Sequence, residues 1–188
     1  MGLFGKIFGK VDCTEVILHS GMTIAAETER VYRAHLGDNL PTGVGLLKAR
    51  LLSSTFAAAV FIIGRCGKSD AENYSFMQAC SGIAMKPFNQ PGGNPTVSRS
   101  KAEAFAPSFM SKALRLIQAE LSEGPSNTDV KTEAFQKLVN MYHHCLAESV
   151  GEERYKTSMK GDFEAYAETV IWTHFHFLSD MLKAVKRL

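Results

Sequence analysis

Residues 45–64 (GLLKARLLSSTFAAAVFIIG) constrain the fold of this chain more than any other stretch. No charge falls between Leu52 and Ile63. At helical period, Leu47, Leu51, Thr55, Ala58 and Ile62 make one stripe, and Leu52, Phe56, Val60 and Ile63 make another beside it. The side that carries Ser53 and Ala57 is small, not charged. A helix that is apolar or small all round needs neighbours on every side. Lys48 and Arg50 interrupt the run at one end, and Arg65 and Lys68 follow at the other. That leaves it short of the roughly 20 apolar residues of a membrane span. The expectation is a buried central helix, approached most closely at Ser53, Ser54, Ala57 and Ala58.

The rest of the chain supplies its neighbours. Leu18, Met22, Ala25, Tyr32 and Leu36 suit an amphipathic helix that Gly21 weakens, with Gly37 as its stop and a turn over 38–43. Gly64 and Gly67 close the central helix, and Ser69 with Glu72 reads as a capping box opening the next. That helix offers Phe76, Met77, Cys80, Ile83 and Ala84 to the core, and Pro87 ends it by Lys86. Residues 86–98 form a long loop with three prolines, of a length that is usually functional or mobile.

Ser100 and Glu103 make a second capping box. Pro107 is expected to divide the segment it opens into a short helix and a longer one that buries Met110, Ala113, Leu114, Ile117 and Leu121. After Gly124 and Pro125, Asn127 or Thr128 should cap a helix burying Ala134, Phe135, Leu138, Tyr142 and Cys145. The last helix, from residue 162 onward, carries Phe163, Ala167, Val170, His174, Phe177, Leu178, Met181, Val185 and Leu188 along one seam. No run of residues reads as paired strands. The fold class is all-α: a single-domain bundle of about six or seven helices over residues 12–188, preceded by an amphipathic segment, residues 1–11.

With 188 residues, 45% of them hydrophobic, the chain suffices for one core. A net charge of +2 with scattered Lys and Arg argues against nucleic-acid binding as the main role. Cys13, Cys66, Cys80 and Cys145 lie far apart with no C-x-x-C pair and no secretory signal, which points to reduced thiols in the cytoplasm.

Candidate chemistry is sparse. Gly64, Gly67, Lys68 and Ser69 imitate the end of a phosphate-binding loop, but two residues separate the glycines where four are needed to wrap a phosphate. His143, His144 and Cys145 diverge by about 100° from one to the next on a helix. Only His144 and Glu148 share a face there, which falls short of a zinc site, so no metal is expected. His174 sits on the apolar seam, as a satisfied core histidine or as a ligand to haem or a neighbour of a small apolar molecule. No nucleophile with a partner at a spacing that chemistry dictates is evident, so the chain leans away from catalysis.

Two surface features remain. Trp172, the only tryptophan, falls among polar residues together with His176, which can pair with Asp180. Exposed aromatics mark binding hot spots, against which stands simple cover by a neighbouring element. In residues 1–11, Leu3, Phe4, Ile7 and Phe8 share one helical face while Lys6 and Lys10 take the other. Such a segment docks on the protein or a second copy, or makes weak contact with a membrane surface. The expected function is a non-catalytic interaction protein working through a helix surface, on a protein partner or by self-association. The competing expectation is a bundle that holds a small apolar ligand or haem near His174.

Overall fold

A computed structural model describes residues 13–36, 43–86, 99–123, 130–150 and 160–185. Six helices occur among them, and no strand: α1 (Cys13–Leu36), α2 (Val44–Ile63), α3 (Asp70–Met85), α4 (Arg99–Glu123), α5 (Glu133–Val150) and α6 (Lys160–Val185). They form a single all-α bundle. Each of the other five helices packs on α2. By length and composition α2 could cross a membrane, with a mean hydropathy of 1.7, but 78% of that window is buried by its neighbours.

Small residues set how close those neighbours come. On Gly21 of α1, a side chain would begin 2.6 Å from the Cβ of Ala57. On Gly45 it would collide with the Cys145 carbonyl and with Ser149 of α5. Gly21 therefore costs α1 some helix propensity and gains it contact with α2. This also shifts the α1 seam from the expected Leu18–Met22 line: Ile17 is fully buried, Leu18 half-buried, and Met22 46% exposed. The side chains of Ala25, Tyr32, Leu36 and Phe163 lie outside the described set, as do Gly37, residues 38–42 where a turn is expected, residues 87–98, residues 124–129 and Leu188.

The α2–α3 connection is a helix end joined directly to a helix start. The N–H of Arg65 donates to the Ile62 carbonyl at 3.2 Å, and that of Cys66 to the Phe61 carbonyl at 3.0 Å. These are the two bonds of a Schellman closure. The left-handed position falls on Arg65, with φ +55°, and not on Gly64. A Cβ on Gly64 would press on the Val60 carbonyl oxygen at 2.6 Å and on Val185 of α6. Ser69 then caps α3, its Oγ accepting from the Glu72 N–H at 3.2 Å.

Three expectations fail for identifiable reasons. Pro107 does not divide α4, which runs unbroken. An interior proline costs about 3 kcal/mol, yet Ala106 and Met110 on either side of it are buried in the core, and the Ser108 hydroxyl donates to the Phe105 carbonyl at 2.9 Å. Neither Asn127 nor Thr128 caps α5. Thr132 does, accepting from the Phe135 N–H at 3.0 Å. The same hydroxyl bonds the Glu120 carboxylate, so Glu120 (2% exposed) ends the α4 seam while Leu121 stands 39% exposed. The α5 core set of Ala134, Phe135, Leu138, Tyr142 and Cys145 is buried throughout.

Candidate functional site

His174 lies 2% exposed on α6 with both ring nitrogens engaged. Nδ1–H donates to the Val170 carbonyl at 2.7 Å. Nε2 is then the acceptor of a hydrogen bond that the Ser53 hydroxyl of α2 donates at 2.8 Å. Phe56 lies tilted against the ring, with centroids 4.9 Å apart. Burial in this apolar setting pushes the pKa of His174 down to about 4, with the Val170 bond opposing in part. A neutral imidazole with no spare lone pair ties α6 to α2. Axial ligation of haem iron would require Nε2 to release Ser53.

The other polar candidates are committed in similar ways. Burial pushes the Cys80 and Cys145 thiols up to about 12, far from a nucleophilic range. His143 faces Glu164 of α6 at 3.8 Å, while His144 is exposed. Glu148, the residue that could share a ligand with His144, binds Lys48 of α2 at 2.8 Å. No group of three or more His, Cys, Asp or Glu among the described residues is placed to hold a metal ion. At the phosphate-loop imitation, the N–H groups of Gly64, Arg65 and Cys66 serve the end of α2. The Glu72 carboxylate accepts from the Lys68 N–H, so a negative group already occupies that helix start.

Trp172 is half-buried. Its ring tilts on Phe135 of α5 at 4.5 Å between centroids, with exposed His176 at 6.5 Å on the outer side. Asp180, the expected partner of His176, pairs instead with Lys183 at 3.3 Å. Leu3, Phe4, Ile7 and Phe8 lie outside the described residues.

What the sequence does not announce is a groove between α3 and α4, of about 320 Å³. Tyr74, Met77 and Met85 line one wall, and Ala106, Pro107 and Met110 the other. Tyr74 is 60% exposed, and its hydroxyl accepts from Gln78 Nε2 at 3.0 Å. Glu103 is the charged residue on the wall. Asp70, one turn before Tyr74, falls on the same face of α3. The only available signal was the helical spacing of Tyr74, Met77, Ser81 and Met85, which reads equally as the edge of a core stripe. Comparison of the chain with family models, with curated proteins and with solved structures finds no match.

Proposed function

We propose that this protein is a non-catalytic, cytoplasmic interaction module whose α3–α4 groove receives an amphipathic helix of a partner protein. The groove itself is the observation that carries this reading. Methionine is flexible and polarizable, so Met77, Met85 and Met110 can repack around different apolar anchors. An exposed tyrosine beside them supplies rigid contact area with a polar tip. An apolar trough with acidic residues at its margins suits a helix that presents apolar anchors flanked by Lys or Arg. A synthetic Leu/Lys amphipathic helix, titrated by fluorescence anisotropy, is the probe. Binding should weaken about tenfold in Tyr74→Ala, the scale of a modest hot spot. Met77→Glu should abolish it in a protein that circular dichroism shows to be still folded. Binding unchanged in Met77→Glu would overturn the reading. Sedimentation that shows self-association, lost in the same variant, would place a second copy of this chain in the groove.

A second reading has its own observation. A cavity of about 370 Å³ lies between α1 and α6, lined by Ile24, Tyr166, Val170, Thr173 and His174 with Glu27. Its size falls in the range of small-ligand sites, about 300–1,000 Å³. A small apolar molecule retained in native mass spectra, and released by Thr173→Phe, would support this reading over the first.

A further inference from the structure

Opposite the groove, α4 carries a second, unrelated face. Lys101, Phe105, Ser108, Phe109, Lys112 and Arg115 recur at steps of three and four, which places them along one side of the helix. The core residues Ala102, Ala106, Met110, Ala113 and Ile117 occupy another side. Two adjoining hollows follow this face. One, of about 480 Å³, is walled by Phe105, Phe109 and Lys112 of α4 with Val44 and Lys48 of α2 and Glu148 of α5. The next, of about 390 Å³, continues along Lys112, Arg115 and Leu116. Lys48 bridges the two kinds of chemistry, with its ammonium 5.7 Å from the Phe105 ring centroid and 2.8 Å from Glu148. The charges on these walls are four cationic side chains against the single carboxylate of Glu148.

We infer that this face is a docking site for an acidic peptide with aromatic or aliphatic anchors: the anchors enter between Phe105 and Phe109, and the carboxylates meet Lys101, Lys112 and Arg115. Charge complementarity selects the sign of the partner and speeds encounter. The shape selects its class. Phe105 and Phe109 are half-buried in hollows and do not stand out as wedges, so they receive side chains and do not penetrate a bilayer. The cationic run from Lys101 to Arg115 spans about 21 Å of helix, at 1.5 Å per residue. Glu148 stands inside that run, where it repels a continuous phosphate backbone but can be bypassed by spaced carboxylates. The site lies on the other flank of α4 from the α3–α4 groove, with Ser111 at the edge of both, and goes beyond the function proposed above.

The test uses the full chain and a fluorescent peptide of Asp and Glu bearing two Phe residues. Three competitors accompany it: the same peptide with Ala for Phe, a single-stranded oligonucleotide, and phosphatidylserine vesicles. The Phe-bearing peptide should bind most tightly and weaken as salt rises. The pair Lys101→Glu and Lys112→Glu should weaken it by about tenfold or more, since removal and reversal of charge act together. Glu148→Gln should tighten it, because the opposing charge is gone. Tyr74→Ala, on α3 in the other groove, should leave it unchanged. Equal binding by the Ala peptide, tighter binding by oligonucleotide or vesicles, or indifference to the lysine pair would each overturn the inference.

Discussion

The long helices α2 and α4 show opposite uses of similar length. Across α2, from Gly45 to Phe61, every residue but Lys48 and Arg50 is buried, and its polar groups turn inward as well. Thr55 bonds its own Leu51 carbonyl, and Ser53 serves His174. In α4 one side is core, and two further sides of opposite chemistry meet solvent: an acidic-edged methionine trough and a lysine–phenylalanine strip. A helix wrapped by five partners keeps little surface of its own, here Val44 and Lys48 near its start. One at the edge of the bundle can show a different chemistry on each flank. In this molecule the core is concentrated on α2, and both surfaces proposed for recognition lie along α4.

The contrast breaks first, and hardest, at Ala58, which is fully buried. Ala58→Glu should leave no cooperative transition, since an unpaired buried carboxylate costs as much as the about 5–15 kcal/mol that holds a domain together. A helical Ala58→Glu protein with unchanged melting would show that α2 is not the stabilising element.

The next effect is acid sensitivity at the α2–α6 tie. The folded pKa of His174, about 4, lies below its ordinary value of 6.5, so the unfolded chain binds the proton more readily. The stability held by neutral His174 is present above about pH 6.5 and is lost as pH falls toward 4. The full difference is about 3 kcal/mol at 1.36 kcal/mol per pH unit. Urea unfolding between pH 4 and 7.5 should show this slope, and His174→Gln should flatten it. An unflattened slope assigns the acid sensitivity to other groups.

Gly21→Ala should cost about 1–3 kcal/mol, the range for overpacking, because its new methyl meets Ala57. Ala57→Gly in the same chain should recover part of that loss, a coupling measured by a double-mutant cycle. Smallest of all, Lys112→Glu on the α4 strip should move stability by no more than about 0.5 kcal/mol, as an exposed position far from the core does. A large loss there would mean that the strip is structural.

The same contrast explains what was legible. The α2 and α5 seams, and the α6 seam from Ala167 to Val185, follow from helical spacing, because most of their positions face other apolar positions. Glu120 inside and Leu121 outside cannot be read that way. The inversion depends on the Thr132 hydroxyl, twelve residues on, which also starts α5. Met22 is exposed because Gly21 turns a neighbouring face of α1 inward. His174 was readable as a core residue, but its partner Ser53 was not, since 121 residues separate them. Both α4 surfaces escaped for a related reason. A groove belongs to two helices at once, and periodicity describes each helix singly.

The position of α2 also bears on the order in which the chain is made. Synthesis from the N-terminus delivers α1, α2 and α3 first, and the bonds around Arg65 and Ser69 are local enough for α2 and α3 to pair early. The sides of α2 that α4, α5 and α6 will cover stay bare until those helices emerge. A nascent chain halted near residue 98 would hold up a long, nearly uncharged helix with half its cover missing, the kind of surface that chaperones bind and that aggregates when they do not. The helix that best secures the finished molecule is also its chief hazard while it is being made.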